Sequence, residues 1–269
     1  MMVGHVSGVA IAGIIFSLVI SMGLPVVLAI LARNKLHAKM SALGIGALTF
    51  FLFALTLEQM LHMVMLGAAG DVLNGNLWLY ALYGGLAAAL FEETGRFVAM
   101  KFWMKKTLSK ENSLMYGVGH GGIEAVLIVG MTYISNLITV FMINSGQMES
   151  QLAAIEEGPG KELAIQSMSV LWTTPGYQFF LPGVERISAV VLQICLSYLI
   201  YRAVKYGEKK FLFAALGIHF LVDAVTVLLS NTVPLVVLEI VLLVAVAALV
   251  LLVKKMYGAE SAENRDFDL

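Results

Sequence analysis

Residues 77–104 read LWLYALYGGLAAALFEETGRFVAMKFWM, an apolar run with Glu92, Glu93 and Arg96 set inside it. The run exceeds the roughly 20 residues a helix needs to cross a bilayer. A charge near the bilayer centre costs about 2.5–3.5 kcal/mol on insertion scales, so such residues in a span are a functional hypothesis by default. The segment reads as a transmembrane helix that retains three charges.

Similar runs extend in both directions. Apolar segments fall at 6–32, 41–69, 77–104, 114–143, 181–204, 211–230 and 232–253, each bounded by charge or by Gly, Pro and Asn. The pattern predicts an all-α polytopic transmembrane bundle of seven spans, one membrane domain over residues 1–269, multi-pass in the cell membrane. Composition agrees: 59% of residues are hydrophobic and 13% charged, mean hydropathy is +0.88, and a soluble domain carries about 25% charge. The expected partners are membrane lipid and a peptide or membrane-protein substrate. With a net charge of -1 and no basic stripe, nucleic acid is not expected. The single cysteine, Cys195, excludes an internal disulfide. The first basic residue, Arg33, follows the first apolar run, so that run reads as a retained span and not a signal peptide.

Basic residues set the expected orientation. Of 17 lysines and arginines, all but Arg96, Lys161 and Arg186 lie at the ends of or after spans one, three and five, or in the tail at 254–269. The positive-inside rule then puts the N-terminus outside and the C-terminus in the cytoplasm. Residues 144–180 become an outer loop, acidic through Glu149, Glu156, Glu157 and Glu162. The Glu157-Gly158-Pro159-Gly160 break separates two short helix-like pieces, Leu163, Met168 and Leu171 with Trp172 and Tyr177 suit the headgroup level, and the segment reads either as a solvated outer loop or as a lid over a site.

Three spans carry ionisable pairs four residues apart: Glu92 with Arg96, His120 with Glu124, and His219 with Asp223. That spacing puts both members of a pair on one helix face. At 1.5 Å per residue from the cytoplasmic ends, Glu92 and Glu93 lie roughly 15–18 Å deep, His120 and Glu124 roughly 9–15 Å, and His219 and Asp223 roughly 12–18 Å. One layer can hold them all, with Gln193 of span five at a similar depth. Gly84, Gly85, Gly95, Gly117, Gly119, Gly121 and Gly122 let spans three and four pack closely. The pair Glu58 and His62 counts to about 25–31 Å and reads as an outer-interface or structural feature. Glu185 and Arg186 read as a helix-end ion pair, and Glu239 as a residue satisfied by a neighbour.

Two histidines and carboxylates suit zinc, which takes imidazole and carboxylate ligands and keeps a position open for water when catalytic. A buried carboxylate acting as general base on water serves the same end. Both routes lead to hydrolysis. Two other readings remain: a proton-coupled transporter or channel using the same groups as a relay, and a non-catalytic scaffold in which they are interhelical glue.

The motif order Glu92-Glu93, Arg96, His120, His219 and Asp223 resembles the YhfC-type intramembrane metalloproteases, distantly similar to the CAAX-protease and bacteriocin-processing (CPBP) membrane peptidases. The resemblance implies an intramembrane protease with catalytic Glu92, Glu93, Arg96, His120 and His219, the two histidines binding metal or the oxyanion and Asp223 orienting or completing the site; the residues read as ligands for a zinc ion are His120, Glu124, His219 and Asp223. It also implies a Glu-Arg pair followed by a histidine on span five, whereas Glu185-Arg186 here leads to Gln193. A diverged enzyme, a two-histidine site and an inactive relative are all compatible with that exchange.

Overall fold

The computed structural model describes residues 4–266, with side chains through Glu260. The helices in chain order are α1 (Gly8–Leu36), α2 (Met40–Leu52), α3 (Gln59–Asn74), α4 (Leu77–Val98), α5 (Lys110–Ala125), α6 (Met131–Asn144), α7 (Gln147–Ala153), α8 (Pro159–Thr173), α9 (Leu181–Tyr206), α10 (Lys209–Ser230) and α11 (Leu235–Asp266). No strand occurs among the described residues. The protein is therefore an all-α polytopic membrane protein.

Six helical stretches have the length and composition to cross a membrane: Gly8–Leu36, Met40–Asn74, Lys110–Asn144, Gly176–Tyr206, Lys209–Ser230 and Leu235–Glu260. The remaining expected span is helix as well, as α4 followed by a π-helical turn at Ala99–Trp103. Its lower apolarity follows from Glu92, Glu93 and Arg96. Two further π turns, Phe53–Glu58 and Val126–Gly130, join α2 to α3 and α5 to α6. Local signals start the helices. The Asn76 carboxamide oxygen accepts from the backbone N–H groups of Trp78 and Leu79 at 3.0 and 3.2 Å, and Ser109 Oγ accepts from Asn112 N at 3.2 Å.

The chain groups into two compact units. The first comprises the residues up to Leu24 with Ala125–Ile187. Its core contains Ile14, Val129, Tyr133, Met148, Leu152, Ile165, Leu171 and Phe179. Segment 144–180 is thus mostly helical and contributes core residues. The reason lies in α7 and α8, where apolar Met148, Leu152, Ile165 and Leu171 are buried. Asn144 ties the unit together by accepting from Val6 N and donating to Val6 O, at 2.9 and 3.0 Å.

The second unit comprises Pro25–Glu124 and the residues from Ser188 onward. Met100, Met104, Met115, Tyr116, Leu196, Tyr198, Leu199 and Ile200 form its core. The expected tail at 254–269 begins as a continuation of α11, and residues 267–269 lie outside the described residues. Buried Glu260 docks that continuation by accepting from the hydroxyls of Tyr198, Tyr201 and Tyr206 at 2.8, 2.6 and 3.0 Å.

Candidate functional site

The second unit contains every residue of the three ionisable pairs. α4 packs along α10, because Gly85 has no side chain: a Cβ there would lie 2.9 Å from Phe220 O and 3.0 Å from Ala224 N. α5 approaches two other helices through glycine. A Cβ on Gly119 would collide with Leu43 O of α2, and one on Gly117 would lie 2.5 Å from Ile194 Cα of α9. The glycines thus serve α4–α10, α2–α5 and α5–α9 approaches.

These approaches bring the polar faces together. His120 Nε2 lies 2.8 Å from Glu92 Oε2, and His219 Nε2 lies 3.9 Å from the same oxygen. His219 Nδ1 is 2.8 Å from Glu93 Oε1. An ionised carboxylate can only accept, so His120 Nε2 and His219 Nδ1 donate, and His219 turns its Nε2 towards Glu92 without bonding it. Asp223 Oδ2 is 3.5 Å from His219 Nε2. The two adjacent glutamates consequently have different partners.

Arg96 is fully buried and sits with its Nε 3.4 Å from Glu93 Oε2. Its Nη1 donates to Gln193 O at 2.8 Å and to Ser197 Oγ at 3.0 Å, and its Nη2 donates to Gln193 Oε1 at 2.5 Å. Gln193 Nε2 in turn donates to Glu92 Oε2 and Glu124 Oε2, both at 3.1 Å. The residue that replaces the histidine implied by the resemblance therefore lies among the acids. Tyr116 stacks on the His120 ring at 6.0 Å between centroids and Phe50 meets it edge-on at 5.2 Å, so aromatic walls fix the imidazole.

Glu58 is buried and pairs with His62. His62 Nε2 bonds Glu58 Oε1 at 3.2 Å, and His62 Nδ1 bonds the Tyr83 hydroxyl at 2.7 Å. Its i, i+4 spacing with His62 was the available signal. Glu185 and Arg186 pair with each other in the first unit, as their adjacency suggests.

The donor chemistry here suits zinc: two imidazoles and several carboxylates, with His120 Nδ1 buried and without a hydrogen-bond partner. Among the described residues no three His, Cys, Asp or Glu side chains already gather at ligand spacing. Instead Glu92 Oε2 stands where two imidazole nitrogens converge.

The chain matches the family model described as YhfC intramembrane metalloprotease over residues 20–249. It is 38% identical over 226 residues to a Bacillus subtilis (strain 168) protein described as "Uncharacterized membrane protein YhfC", covering 83% of this chain and 86% of that one. No solved structure matches it.

Proposed function

The chain belongs to the YhfC intramembrane metalloprotease family, and from that premise we propose that it hydrolyses peptide bonds of peptide or membrane-protein substrates within the membrane. The observation that carries the reading is the convergence of two imidazoles from separate helices on one carboxylate oxygen, with His120 Nε2 at 2.8 Å and His219 Nε2 at 3.9 Å from Glu92 Oε2. A scaffold needs each histidine to have some partner, but it does not need both to address the same atom.

Glu92 is the general base. It takes a proton from the attacking water as the new C–O bond forms, and returns it to the amine nitrogen as the C–N bond breaks. Glu93 orients His219 by accepting from Nδ1, at 2.8 Å, which commits Nε2 to the reaction side. Arg96 offsets the charge of Glu93. His120 and His219, with Asp223 and Glu124 as carboxylates, are the residues that would hold zinc. Such an ion, when bound, lowers the pKa of a water towards neutrality and polarises the substrate carbonyl.

The test uses the full chain reconstituted in proteoliposomes, with metal analysis beside hydrolysis of a fluorogenic single-span peptide. His120→Ala and His219→Ala are expected to lose turnover and bound ion together, and the double variant to be no worse than either single, since groups acting as one unit are not additive. Folded variants at Glu92, His120 and His219 that all retain full hydrolysis would reject the proposal.

A further inference from the structure

We infer that Gln193 is a positioning residue that holds the Glu92 carboxylate in its working orientation and ties it to Glu124. The role rests on Glu92 as the hydrolytic base, and the hydrogen-bond pattern argues it independently of any assay.

Gln193 is 4% exposed, and its carboxamide uses both ends. Oε1 accepts from Arg96 Nη2 at 2.5 Å, while Nε2 donates to Glu92 Oε2 and to Glu124 Oε2, each at 3.1 Å. A primary amide has two N–H groups, so both are committed. The opposite flip would aim N–H groups at a guanidinium that has no acceptor, and would set the amide oxygen against two carboxylates. Arg96 thereby decides which way the amide points. It is itself held by Gln193 O at 2.8 Å and Ser197 Oγ at 3.0 Å, and Ser197 Oγ donates to Gln193 O at 2.7 Å.

The backbone is equally constrained. A Cβ on Gly121 would lie 3.0 Å from Gln193 Cβ, and one on Gly117 would lie 3.0 Å from Gln193 O. Glycine at both places lets α5 close on α9 around this side chain. Glu92 Oε2 is consequently held from two sides, by His120 Nε2 at 2.8 Å and Gln193 Nε2 at 3.1 Å. An amide does not titrate, so it supplies this donor at every pH without competing for the proton the base must carry.

The test needs a readout that loss of packing would not imitate. In the unsubstituted full chain in nanodiscs, both side-chain amide protons of Gln193 are expected to exchange slowly with deuterium. Gln193→Met keeps nearly the same volume and removes the donors. It is expected to shift the imidazole nitrogen resonances of His120, which bonds Glu92 directly, well beyond those of His219, whose ring Glu93 holds, and to lower kcat for a fluorogenic single-span peptide about 10–100-fold at unchanged KM. Fast amide exchange in the unsubstituted protein overturns the inference without any variant. So does a folded Gln193→Met protein whose His120 resonances and kcat stay put, or one in which both histidines shift alike. If the unsubstituted protein hydrolyses nothing, the proposed function fails, while the exchange and resonance measurements still decide the positioning role.

Discussion

At the residue scale, Glu92 and Glu93 are neighbours in sequence with unlike surroundings, and substitution should separate them. Glu92→Gln keeps size and hydrogen bonding but cannot take a proton, so turnover should fall by about 10²–10⁴-fold with little change in thermal stability. Glu93→Gln removes the carboxylate 3.4 Å from fully buried Arg96. Leaving a buried charge short of its partner costs about 3–5 kcal/mol, so this variant should unfold at lower temperature before its activity can be read. Thermal unfolding of both proteins in the same detergent, set beside their turnover, checks the pair. Equal behaviour would remove the distinction. Spacing made the pair Glu58 and His62 visible, and the structure joins them at 3.2 Å and adds the Tyr83 hydroxyl at 2.7 Å from His62 Nδ1.

At the element scale, the helices meet through glycine. Gly85→Ala would place a methyl 2.9 Å from Phe220 O, a backbone atom that cannot swing aside. Overpacking of this kind costs about 1–3 kcal/mol, and here it should also separate α4 from α10, weakening the Glu93–His219 contact and lowering turnover. Gly84→Ala meets nothing within 4 Å and should be neutral, so the two variants side by side in a thermal melt and a hydrolysis assay give the answer. The α9–α10 turn, outside the spans, supplies a pH effect. Partial burial raises the Glu208 carboxyl, but Arg202, donating to it at 2.8 and 2.6 Å, outweighs burial and holds it below the usual carboxylate range. A group depressed in the folded state stabilises above its unfolded pKa, and that contribution is lost as pH falls through the folded value. Arg202→Gln should therefore flatten the acid side of the stability curve while leaving its shape near neutrality unchanged, as acid melts of both proteins would reveal.

At the scale of the whole molecule, the loop charges make a topological prediction. With Cys195 replaced, a cysteine introduced near Gly158 should react with an impermeant reagent from outside, and one near Lys106 should not. The reverse pattern would invert the expected orientation. The helical membrane class was determined by sequence alone, because bilayer length and backbone satisfaction leave a long apolar run few alternatives. The same logic marked Glu92, Glu93, His120, His219 and Asp223 as residues to explain, since each is costly in lipid. The two helical pieces of segment 144–180 were legible from the break at 157–160, but which of their side chains are buried, Met148, Leu152, Ile165 and Leu171, depended on packing. Only the tertiary structure decided that Glu92 faces His120, that Glu93 faces His219 and Arg96, that Gln193 joins Arg96 to two acids, and that α4 lies along α10. Spacing along a helix defines a shared face, but which neighbour that face meets, and which atom of a side chain turns towards it, depends on the packing of helices far apart in the chain.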